Sequence, residues 1–231
     1  MIERLKSQLR HTTAQRKELE LPKVGWIVAV SVIGTVAYIF LAIILIPSGE
    51  TRDFHFGKER GAITALSAIL LAMAAAFSMA TQVLLVRTEA RHRWSWAILF
   101  FSFTFFAFDE LLEFHERLGF VLERHADPGI FRNWNDVVVT FYGILAVPIM
   151  VLLLPTLIRH RMLLEMFVIA FAFYGIHTLI DSMIEPKTTL SVILEESAKL
   201  FSAGFLAIGS FVGFLGALWN ATQTNKLRIE Q

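Results

Sequence analysis

Phe100-Phe-Ser-Phe-Thr-Phe-Phe-Ala-Phe-Asp109-Glu110-Leu-Leu-Glu113-Phe-His115-Glu116-Arg117 is the stretch that decides how this chain is read. It begins as a lipid-compatible helix and then carries four carboxylates and an imidazole within a few residues. An ionised carboxylate deep in hydrocarbon costs at least ~2.5 kcal/mol, so such groups belong inside a bundle, facing partners. The surrounding sequence has the composition of that bundle. It is 55% hydrophobic over 231 residues with a mean hydropathy of +0.59. Its apolar residues come as long unbroken runs rather than at the alternating periods of a soluble domain.

Working outward, six runs are each long enough at ~1.5 Å per residue to cross ~30 Å of hydrocarbon. They lie at 24–46, 61–86, 94–117, 136–158, 162–184 and 190–219. The fold class expected is an all-α polytopic membrane protein, a bundle of six transmembrane helices. Residues 1–23 form a basic, weakly amphipathic segment, 24–219 the membrane domain and 220–231 a tail. Trp26, Trp94, Trp96, Trp134 and Trp219 all fall at the ends of these runs, where indoles settle at membrane interfaces. Lys and Arg on the side of the two termini outnumber those on the other by about two to one, counted over the short links as well. Both termini are therefore expected in the cytoplasm, with the protein in the cytoplasmic membrane.

Composition excludes several functions. A net charge of +1 leaves no domain-wide basic surface for nucleic acid. The absence of cysteine removes disulfides, thiol catalysis and thiolate metal ligands. The first apolar run lacks the small-residue pattern of a cleavable signal peptide.

The polar groups of three runs converge in depth. Counted from Trp94, Asp109 lies ~22 Å in, and His177 lies ~22 Å from Met162, with Asp181 one turn further. The last run enters from the other side, so Glu195, Glu196 and Lys199 lie ~6–12 Å below that surface. On a continuous helix Asp109, Glu113 and Glu116 share a face, Glu110 flanks it and His115 points away. Lys199 is expected to pair with Glu195 or Glu196 on its own helix. One lysine cannot balance so many acids. Either a cation joins them or several stay protonated.

Carboxylates and histidine on facing helices form the ligand set of Zn, Mn or Fe. The candidate metal ligands are Asp109, Glu110, His115, Glu116, His177, Asp181, Glu195 and Glu196, around a divalent ion. A metal-dependent enzyme acting on a lipid-soluble substrate from the bilayer is the first functional expectation. A proton- or cation-coupled carrier or channel using the same carboxylates is the second. A carrier needs polar access from both sides, and the cytoplasmic halves of the runs are almost wholly apolar. That favours a one-sided site. The run Ala72-Met-Ala-Ala-Ala76 and the Pro148 and Pro155 run read as scaffold.

The string Asp109-Glu110-x4-His115-Glu116-Arg117, with the later Leu194-Glu195-Glu196, resembles a group of uncharacterised prokaryotic polytopic membrane proteins. Their third span reads Leu-Asp-Glu-x4-His-Glu-Arg, and a later span carries a Glu-Glu pair followed by a further acid, where this chain has Lys199. The resemblance implies a six-span membrane protein and no particular reaction. Phe108-Asp109-Glu110-Leu111 is also distantly similar to an acidic motif of the ceramidase and adiponectin-receptor hydrolases. Their terminal His-x3-His and seventh span are absent from this sequence.

Overall fold

The computed structural model describes residues 24–45, 61–85, 90–125, 128–129, 133–158, 161–184 and 188–229. The basic segment 1–23 and the loop 46–60 lie outside the described residues. Seven helices appear among the described residues: α1 (Val24–Leu45), α2 (Ala62–Leu85), α3 (Ala90–Leu112), α4 (Phe114–Glu123), α5 (Trp134–Leu157), α6 (Arg161–Met183) and α7 (Thr189–Ile229). All but α4 contain a stretch long and apolar enough to cross a membrane. The all-α membrane bundle and its six spans are thus as the runs of the sequence indicate, and α7 continues through the Trp219 boundary into the tail.

α7 is the axis of the bundle and the most deeply covered span. α2 packs along α7 and α3, and α6 packs along the opposite side of α7. Small residues make the α2 contact close, with Ala74 and Ala75 buried beside Ala203 and Ala207 in one core that also takes in Phe103, Leu163 and Phe167. α1 and α5 sit at the periphery and present apolar side chains outward. That is the surface a bilayer covers, since lipid removes the need to bury it. α5 meets α4 closely but touches α3 and α6 at only a few points. One of its ties to α3 is Thr156, whose hydroxyl donates to Ser95 Oγ at 2.9 Å.

Local signals set the helix starts. Asn133 Oδ1 accepts from the Asp136 backbone N–H at 2.9 Å and caps α5. Before α7, Thr188 Oγ1 accepts from the Ser191 N–H while Ser191 Oγ accepts from the Thr188 N–H, a reciprocal cap.

Two points of detail change. Trp96 stands at a span end as expected but faces the core: it is 2% exposed and packs against Gly213 of α7, where a Cβ would strike its ring. Trp26, Trp94 and Trp219 are exposed near span ends as expected. The third run also does not continue as one helix to Arg117. Glu113 adopts a left-handed conformation (φ 56, ψ 42), so α3 ends and α4 sets off in a new direction. The break redraws the site.

Candidate functional site

The backbone turn at Glu113 leaves the first N–H groups of α4 without helical partners. Asp109, one turn earlier on α3 and 7% exposed, supplies one: its Oδ1 accepts the His115 backbone N–H at 2.9 Å. Its other oxygen, Oδ2, meets His115 Nδ1 at 2.9 Å. One carboxylate therefore holds both the backbone and the ring of His115. With Asp109 ionised, the arrangement puts a proton on Nδ1 and leaves Nε2 as the reactive nitrogen. Nε2 points towards Glu116 Oε1 at 4.0 Å, too far for a hydrogen bond.

This overturns the helical-wheel placement of His115. A straight helix turns it away from Asp109, and the left-handed Glu113 brings it back. Glu113 is likewise displaced from a common face with Asp109 and Glu116, because a face requires continuous helical geometry. His115 lies beyond the end of the α3 span. Burial disfavours its charged form, but the Asp109 hydrogen bond and the charges of Asp109, Glu116 and Glu110 outweigh burial. They hold its pKa above the ordinary imidazole value.

A second group lies within the spans. Lys199 Nζ of α7 stands 2.9 Å from Glu196 Oε2 on its own helix and 3.0 Å from Glu110 Oε1 on α3. Glu196 is one of the two partners expected for Lys199. Glu110, the partner across the bundle, is the one sequence spacing missed. Lys199 thus connects α3 and α7 at a level where their backbones do not approach closely. Its ammonium is a cation already placed between two of the acids. That answers part of the charge-balance problem from within the chain.

His177 of α6 is half-buried, and its Nδ1 lies 3.3 Å from the backbone carbonyl oxygen of Glu195 on α7. Its ring also neighbours Tyr174 one turn earlier on α6, with centroids 6.0 Å apart. Tyr142 of α5 stacks edge-on against Phe105 and Phe106 of α3. Tyr174 is a neighbour of the site that acid-and-histidine reasoning passes over. Asp181 and the buried Glu195 complete the same end of the bundle.

The candidate ligands therefore gather at one end but divide into separate contacts. Asp109 joins His115, with Glu116 beyond it, and Glu110 and Glu196 join Lys199. Among the described residues, no three His, Asp or Glu side chains converge as a metal-binding group. His125, just past the end of α4, places Nδ1 2.9 Å from the backbone carbonyl oxygen of Val121.

Together these features define an integral membrane protein of the all-α class with an ionic site set among its helices. Residues 26–212 match the family described as Domain of unknown function (DUF8692), and the chain belongs to that family. No curated protein and no solved structure matches it.

Proposed function

We propose that the protein exchanges protons at His115, on the extracytoplasmic side of the cytoplasmic membrane, with a lipid-soluble substrate that arrives through the bilayer. The observation that carries this reading is the commitment of both Asp109 oxygens to His115. A carboxylate that fixes the tautomer and orientation of an imidazole prepares the opposite nitrogen to accept and release a proton. Tyr174, beside His177 on α6, offers a further hydroxyl to an incoming polar group. The excess of Lys and Arg on the side of the termini supports the orientation, and the apolar cytoplasmic halves of the spans support access from the other side alone.

Infrared titration of His115 in sealed proteoliposomes of uniform protein orientation tests this. The imidazole bands, identified by their loss in His115→Gln, should follow the pH of one compartment only. Bands that ignore pH on both sides would overturn the reading. Proton flux across the liposome membrane, abolished by the same substitution, would favour the coupled carrier instead.

Divalent metal binding is a second proposal for the same residues. It is favoured by the placement of Asp109 on Nδ1, with Nε2 and Glu116 Oε1 facing across 4.0 Å. A carboxylate behind a histidine is the usual outer support of a metal-bound imidazole. Two donors are too few to hold an ion, so water or substrate would complete the set around Zn, Mn or Fe. The ceramidase-type hydrolase analogy belongs to this proposal. Elemental analysis of chelator-free protein beside His115→Gln and Glu116→Gln decides it: stoichiometric metal lost in both variants supports the ion, and metal-free folded protein removes it.

A further inference from the structure

Hydroxyl groups on α2 behave differently at its two ends. Ser78 and Thr81 turn back and donate to the carbonyls of Ala74 and Phe77, each at 2.8 Å. That is the ordinary way an intrahelical hydroxyl is satisfied in apolar surroundings. Thr64 and Ser67 are 4% and 1% exposed, and among the described residues their hydroxyl oxygens have no hydrogen-bond partner. An unsatisfied buried hydroxyl costs on the order of 1–3 kcal/mol, so two in one turn call for an explanation.

Their position supplies one. α2 and α7 run in the same direction, with Ile63 in one cluster with Leu200 and Phe77 against Phe211 at 5.0 Å. That register sets Thr64 beside the Ala198–Phe201 stretch of α7, level with Lys199, and Ser67 about one turn further along. α2 and α3 run in opposite directions across the short link 86–89, and Ser67 and Glu110 stand about equally far from it, ~27–30 Å along their helices. The two hydroxyls and the Glu110–Lys199–Glu196 group therefore lie on adjoining turns of one layer, where α2 packs on both α3 and α7.

That layer has hydrogen-bonding capacity to spare. Glu110 Oε1 and Glu196 Oε2 are buried and paired with Lys199 at 3.0 and 2.9 Å, and each carboxylate keeps lone pairs beyond that contact. Unsatisfied hydroxyls and spare carboxylate lone pairs in one buried layer are what ordered internal water satisfies, each molecule taking about three bonds.

We propose that a small cluster of ordered water occupies this layer and bridges the Thr64 and Ser67 hydroxyls to the Glu110–Lys199–Glu196 group. Carboxylate and hydroxyl oxygens would also suit a hard cation. Lys199 already places a positive charge between the two carboxylates, so a neutral ligand is the better match. The water gives the ion group a hydrated flank inside the bundle and a route by which protons reach it. The inference is independent of the role of His115.

The test uses full-length protein in nanodiscs. Internal water should give O–H stretching bands that shift on exchange into H2¹⁸O, and Ser67→Val and Thr64→Val should each diminish them. Thermal melting separates a wet layer from a dry one. If Ser67 is bridged by water, Ser67→Ala lowers the melting temperature, and the effect shrinks in a Glu110→Gln/Lys199→Met background. If the hydroxyl is dry, removing it leaves the melting temperature unchanged or raises it, which overturns the proposal. Absence of ¹⁸O-sensitive bands in the wild type overturns it too. A melting temperature that rises with sodium in the wild type but not in Ser67→Ala would replace water with a cation.

Discussion

Replacing Lys199 by methionine isolates the energetics of the buried ion group. The substitution keeps an unbranched side chain of comparable length and removes a charge that stands 3.0 Å from Glu110 Oε1 and 2.9 Å from Glu196 Oε2. At an effective dielectric constant of 20, each contact is worth about 5 kcal/mol of gross Coulomb attraction. Most of that offsets the desolvation of the three groups, so the net worth of the assembled group is small. Loss of the lysine alone is a different matter, because two carboxylates stay inside the bundle without it. Removing one member of a buried ion pair costs about 3–5 kcal/mol, and Lys199→Met should fall there. The triple variant Lys199→Met/Glu110→Gln/Glu196→Gln carries no orphan charge and should recover most of the loss. Reversible unfolding in mixed micelles, followed by circular dichroism, measures both. A Lys199→Met protein as stable as the wild type, or a triple variant no better than the single one, would refute the reasoning.

The remaining predictions concern the helix break and the close contacts of the bundle. Glu113→Gly should stabilise the protein by about 1 kcal/mol, measured by the same unfolding assay, because glycine holds the left-handed conformation without a Cβ penalty. Glu113→Ala should give no such gain. Gly213→Ala should destabilise by about 1–3 kcal/mol, since the new methyl meets the Trp96 ring in a packed contact, and a paired Trp96→Phe should relieve part of it. The pKa of His115 is raised in the folded state, so its contribution to stability is fully present below the ordinary imidazole value near 6.5 and is lost as pH rises through the folded value. Melting temperature against pH should show that decline, and Asp109→Asn should flatten it.

The membrane architecture was legible along the chain because run length against bilayer thickness is a one-dimensional property. Six runs, their ends within a few residues, and the common depth of Asp109, His177 and Glu196 all follow from apolar length and a rise of ~1.5 Å per residue. The pairing of those groups did not follow. A wheel drawn through residues 94–117 assumes unbroken helix, and one left-handed residue, Glu113, turns His115 onto Asp109 and separates Glu113 from its expected face. Sequence spacing proposed the i, i+3 partner Glu196 for Lys199 because neighbours on one helix can be counted. Glu110 was found only in three dimensions, since the rotation of α3 about its own axis is set by packing against α2. The same holds for Trp96, an interfacial residue by position and a core residue by contact with Gly213. Depth in the membrane is written in the order of residues. Which side chains meet at that depth depends on helix rotation and backbone breaks, and these are decided by contacts among residues far apart in the chain.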